Sequence, residues 1–208
     1  MLLPSRKDGI LLMKRWMKAL TFGVVGCFLL SLCGFAGECD RVRGSVLRLH
    51  VLAHSDSPAD QALKLKVRDR VLEETGDIFS GAKNLETAQS LAKENLVKIC
   101  AAATDELRKN GSDATVTAGL CRTYFETRQY DGYTLPAGMY DAVRIEIGKA
   151  EGKNWWCVMF PPLCVGSAMD EKELEAMLSQ SGEKVINGTQ KFKAKFYIVE
   201  LFERWFKR

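Results

Sequence analysis

Apolar positions along the chain fall into three patterns. The first is a continuous run: Ala19 to Ala36 reads ALTFGVVGCFLLSLCGFA, eighteen residues without a charge. Lys14, Arg15 and Lys18 precede it, and Glu38 and Asp40 follow. A basic flank ahead of an apolar run is the signature of a secretory signal or a short signal anchor. Eighteen residues is at the lower edge of a helical span, and the small residues Gly34, Ala36 and Gly37 permit cleavage after Ala36, so both readings stay open. Residues 1–18 then form a basic cytoplasmic leader, whose start is Met1 or Met13, and residues 37–208 one exported domain.

The second pattern is alternation. Val46 to Ala53 (VLRLHVLA) predicts a strand with Leu47, Leu49 and Val51 on one face and Val46, Arg48, His50 and Leu52 on the other. Thr115–Phe125 and Tyr140–Gly148 are strand-like, the latter with Val143, Ile145 and Ile147 alternating with Arg144 and Glu146. Residues 148–153 (GKAEGK) read as a hairpin turn into Asn154–Phe160. That strand, NWWCVMF, is apolar on both faces, as a central buried strand would be. Residues 191–198 (KFKAKFYI) alternate again.

The third is helical. Ser57-Pro58-Ala59-Asp60 is a helix start, with Ser57 as N-cap and Pro58 in the first turn. Leu63, Val67 and Val71 then form a stripe. From Asn84, Leu85, Ala88, Leu91, Leu96, Ile99, Ala103 and Leu107 recur at spacings of three to five, and Asn110-Gly111 closes what reads as one longer helix. Asp170–Ser179 is a short helix, and the tail VELFERWFKR an amphipathic one. The order predicts an α+β domain: a mostly antiparallel sheet, two longer helices after the first strand, and a short C-terminal helix.

Charge changes the picture only locally. The chain is +4. Residues 1–36 hold five basic residues and one acidic, leaving 25 of each sign in 37–208. A neutral domain has no electrostatic footprint for nucleic acid. The remaining excess lies in the tail, where Lys191, Lys193, Lys195, Arg204, Lys207 and Arg208 face Glu200 and Glu203. That composition suits contact with a membrane surface. Seven cysteines include five in the exported part: Cys39, Cys100, Cys121, Cys157 and Cys164. Cys157 and Cys164 are the expected disulfide, because CVMFPPLC closes a short loop that Pro161-Pro162 can reverse; the alternative is that both are small buried hydrophobes.

Candidate chemistry centres on HVLAHSDSPAD (50–60). His50 and His54 are the only histidines, and Asp56 and Asp60 follow closely. On a strand, residues four apart share a face but lie about 13 Å apart, too far for one ion unless the strand bends. The residues therefore favour a satisfied strand histidine, with Asp56 and Ser57 serving loop and cap. No GxSxG, HExxH or phosphate-cradling glycine loop is present, so neither catalytic nor metal residues are assigned and no cofactor is expected. Trp155 and Trp156 must point to opposite faces, as sandwiched core or as an aromatic patch for a partner.

LRLHVLAHSDSPADQALKLKVRDRVL (47–72), LPAGMYDAVRIEIG (135–148) and GKNWWCVMFPPLC (152–164) together resemble the stage II sporulation protein R family. The resemblance implies an exported signalling protein, made in the forespore and secreted toward the space between two cell membranes. Its implied partner is a membrane-embedded aspartic peptidase of the mother cell, which processes the precursor of sporulation sigma factor E. It implies no enzymatic activity. The family's motif usually has asparagine where this chain has His54, so a metal site built on both histidines would not be a family feature. Candidate partner-binding residues are His50, Asp56, Asp60, Trp155, Trp156 and Trp205. A secreted envelope protein that docks its tail on anionic lipid, or a secreted metal-dependent hydrolase using the histidines, are the rival readings.

Overall fold

The computed structural model describes residues 6–130, 133–161, 196–201 and 204–205. The elements are α1 (Arg6–Arg43), β1 (Leu47–Leu52), α2 (Pro58–Phe79), α3 (Leu85–Glu94), α4 (Leu96–Lys109), β2 (Val116–Phe125), β3 (Arg128–Tyr130), β4 (Tyr133–Leu135), β5 (Gly138–Ile147) and β6 (Asn154–Phe160). The expected helix at Asp170–Ser179, Cys164 and residues 191–195 lie outside the described residues. Residues 196–198, expected as the end of a strand, are helical and continue to residue 201. Alternation over so few residues also fits a helix that buries Phe196 and Val199, three apart.

A four-stranded sheet runs in the order β2-β5-β1-β6, and β3 and β4 form a separate hairpin. Both β2–β5 and β1–β6 are antiparallel; β1–β5 is parallel. The α+β, mostly antiparallel prediction therefore stands, with two corrections inside it. The 148–153 segment is not a hairpin turn, because β1 lies between β5 and β6. And β6 is last in the described strand order, whereas β1, buried at every position, is internal. Cover on both faces suffices to make NWWCVMF apolar without a central place.

Helices α2, α3 and α4 cover one face. Leu47, Leu49 and Val51 of β1 and Val143, Ile145 and Ile147 of β5 meet Val67, Val71, Ala88, Ala92, Ile99 and Leu107 there. The single long helix expected from Asn84 is two. Leu91 to Leu96 is a spacing of five, which slips the apolar stripe, and Asn95 takes up the break between α3 and α4 by donating its side-chain amide to the Leu91 carbonyl at 2.8 Å. The start of α2 is as read: the Ser57 hydroxyl accepts from the Asp60 N–H, and Pro58 sits in the first turn.

On the opposite face a smaller cluster joins Phe125, Leu135, Tyr140, Ala142 and Val158 to Val42 and Val46. Val42 belongs to the end of α1, so the helix that carries the apolar run continues into this core. Cys157 is buried and disulfide-bonded.

Candidate functional site

The histidine-aspartate segment meets the 148–153 connection where the latter passes over the end of β1. Gly152 donates its N–H to the Ala53 carbonyl at 3.0 Å. His54 Nδ1 accepts the Lys149 N–H at 3.1 Å, and Asp56 Oδ1 accepts the Lys153 N–H at 2.6 Å. These side chains satisfy backbone donors that a crossing connection cannot pair in a ladder. Gly148 has φ +58°, and a Cβ there would strike the His54 ring. A Cβ at Gly152 would strike the Ser55 carbonyl. Gly148 needs glycine for its positive φ and the His54 ring above it, and Gly152 because the Ser55 backbone lies against it.

The rest of the loop closes on itself. Asp60 accepts from the Ser55 hydroxyl, and Ser57 caps the Asp60 N–H at 3.1 Å. Those hydroxyls, Ser55 first, hold the Asp60 carboxyl below the ordinary carboxylate range. Gln61 donates to the Ser55 carbonyl at 2.9 Å, and buried Lys64 donates to Gln61 at 2.7 Å and to the Lys153 carbonyl at 2.8 Å. Burial lowers the Lys64 ammonium. Asp56 and Asp60 thus hold the loop together; among the described residues no three His, Cys, Asp or Glu side chains converge as metal ligands would.

His50 lies elsewhere, on the face away from the helices. Its Nε2 donates to Asn154 Oδ1 at 2.8 Å, and its ring stacks on Trp156 with centroids 3.8 Å apart and planes 20° from parallel. The pairing of His50 with Trp156 in the β1–β6 register brings them together. Burial pushes the imidazole below its usual value, opposed by the Asn154 bond and reinforced by Arg144. Nδ1 is buried with no hydrogen-bond partner, which suits a neutral ring.

Trp155 points to the helix face, where the Arg68 guanidinium carbon sits 4.5 Å from its ring centroid. Trp156 packs edge-on to Phe125 at 4.6 Å. Both are half-buried. Trp205 is 84% exposed and joins neither cluster. The sequence-predicted residues therefore occupy four places rather than one.

Two positions in sequence from His50 lies a group that pattern reading passed over. Arg48 is fully buried. Its Nε donates to the Cys157 carbonyl at 2.9 Å and its Nη2 to the Tyr130 hydroxyl at 2.8 Å. The guanidinium carbon lies 4.2 Å from the Phe125 centroid and 5.0 Å from that of Tyr140. Burial lowers its affinity for the proton, and three aromatic rings supply what a carboxylate would elsewhere. The same burial raises the Tyr140 hydroxyl, which donates to the Pro136 carbonyl at 2.6 Å. The available signal was an arginine inside a strand that is apolar apart from it and His50.

Beyond this cluster the sheet face opens at the far end of β5 and β6. Asn154 and Thr117 are exposed there, and the Arg144–Glu146 ion pair, 2.7 Å long, is about 40% exposed. This end presents a polar surface with an aromatic floor. It contains no nucleophile set against a base.

Comparison with known proteins places these features. No solved structure matches the chain. The stage II sporulation protein R of Bacillus subtilis (strain 168) is 35% identical over 145 residues, which cover 67% of this chain and 65% of the relative, so the match spans just under two thirds of that protein's length. The family model for stage II sporulation protein R matches residues 43–170, a range that holds the buried Arg48, the 53–60 loop, the 148–153 connection and the tryptophan pair. The chain belongs to the stage II sporulation protein R family and has a role in sporulation.

Proposed function

We propose that the chain is an exported signal that activates a membrane-embedded aspartic peptidase of the mother cell, so that the precursor of sigma factor E is processed. Family membership over residues 43–170 carries this reading. The 18-residue apolar run behind a basic leader supports export, with residues 37–208 as the single exported domain. The protein then works as a ligand, and it must bind the active peptidase state more tightly than the inactive one to shift anything. The disulfide of Cys157 is assigned to Cys164.

The surface proposed for the partner is the open end of the β5–β6 face: Trp156 over His50, with Asn154, Arg144 and Glu146 around it. Asp56 and Asp60 are assigned to loop structure, because Asp56 already accepts the Lys153 N–H and Asp60 the Ser55 hydroxyl, while the Asp60 N–H is capped by Ser57. Trp155 is assigned to packing under Arg68.

The test is co-expression of this chain, the matching peptidase and a tagged sigma precursor in a host that does not sporulate. Precursor cleavage only when this chain is present supports an activating ligand. Absence of cleavage with all three proteins made and this one exported would return the envelope-protein reading to first place. Charge reversal by Arg144→Glu should lower cleavage at least several-fold while leaving the fold intact; unchanged cleavage would remove the β5–β6 surface.

A further inference from the structure

The apolar helix and the folded domain are one continuous object. Helix α1 runs unbroken from Arg6 to Arg43, and its last turns are built into the domain. Phe35 is 5% exposed and Cys39 fully buried, in a cluster with Phe196 and Val199. The Phe35 and Phe196 rings meet edge to face with centroids 5.0 Å apart. Four residues after Cys39, Arg43 Nη1 donates to the Ala137 carbonyl at 2.6 Å, and Val42 lies in the second core. Upstream the helix is bare: Trp16, Leu20, Phe22 and Leu30 are each more than 70% exposed, and only 6% of the apolar window is buried. An apolar helix bare on all sides is solvated by lipid, not water. Eighteen residues at 1.5 Å each give about 27 Å, close to the roughly 30 Å hydrocarbon thickness.

The partner of Phe35 is itself amphipathic. Residues 196–201 and 204–205 are helical. Phe196 and Val199 face α1, while Tyr197, Leu201 and Trp205, each four apart, are 65%, 46% and 84% exposed. An exposed Tyr-Leu-Trp stripe fixed to the end of a lipid-exposed helix sits at the depth where aromatic side chains anchor to the membrane interface.

We infer that α1 is retained rather than cleaved, and that its outer end and residues 196–201 and 204–205 form one lipid-facing unit holding the domain against the membrane that exported it. Cleavage after Ala36 would take Phe35 out of the Phe196–Val199 cluster and open a bond that lies within a helix. Signalling is then confined to partners within reach of that membrane, instead of spreading with a diffusing protein. The inference rests on the export reading above but not on the identity of the peptidase.

The experiment is expression of the full chain, tagged at its C-terminus, in a bacterium. Mass measurement, alkaline carbonate extraction of membranes and protease digestion of intact spheroplasts follow. The expected result is a chain that keeps its N-terminal leader, stays in the extracted membrane and is digested from outside. A species that begins at Gly37 and leaves the membrane overturns retention while keeping export. A chain protected from external protease overturns export, and this inference with it. Replacing Phe35→Ser in the full chain should speed proteolytic clipping near residue 196 several-fold; an unchanged rate would show that the two helices are not one unit.

Discussion

Arg48 is the residue whose chemistry departs furthest from expectation. A buried cation without a carboxylate among the described residues survives by aromatic faces and two hydrogen bonds, with Nη1 left without a hydrogen-bond partner. Lysine cannot copy this arrangement, since a compact ammonium is more strongly hydrated and lacks the planar fork. Arg48→Lys should therefore destabilise the domain by about 2–4 kcal/mol, and by more than the apolar Arg48→Met. Urea denaturation of both variants checks the order. The second prediction concerns His50, whose folded pKa is depressed chiefly by burial. The unfolded imidazole binds the proton more readily, so stability is fully present above the unfolded pKa and is lost as pH falls through it, from about pH 7 toward pH 5. Urea midpoints measured across that range should fall, and the fall should shrink in His50→Gln. A midpoint flat across the range would contradict the buried, neutral ring.

Among the elements, the junction of the 53–60 loop with the 148–153 connection does most to fix the architecture. It lets the chain pass from β5 to β6 across the end of β1. Gly148→Ala should cost roughly 1–3 kcal/mol, from the positive φ and the His54 ring together. Part of that cost should return in the double variant with His54→Ala, a coupling a double-mutant cycle measures. Asp56→Ala should cost roughly 1–2 kcal/mol by stripping the acceptor from the Lys153 N–H. Local pattern revealed most elements here, because alternation and capping are local: Ser57 and Pro58 start α2 where the sequence put them. What it missed was non-local. Residues 148–153 look like a hairpin turn in sequence, and only the insertion of β1 makes them a crossing. Asp56 likewise reads as available surface until its partner, the Lys153 N–H nearly a hundred residues away, is known. The surroundings of Arg48 were hidden for the same reason, since the rings that solvate it come from β2, β3 and β5.

At the scale of the whole molecule, helices back one side of a sheet, and a smaller aromatic core joins its other side to α1. Among the described residues this arrangement assembles no catalytic centre. The apolar run and the sporulation family were legible from the sequence because both are carried by long contiguous segments. The union of α1 with the domain was not, since it depends on Phe35 meeting Phe196. The central claim is that the domain signals from outside a membrane. The most direct measurement is precursor cleavage in the three-protein system, with the chain either intact or blocked from export by Val25→Arg and Phe28→Arg in the apolar run. The account predicts cleavage with the exported chain and none with the blocked chain at equal abundance. Equal cleavage by both would show that activation does not require export, and would contradict it.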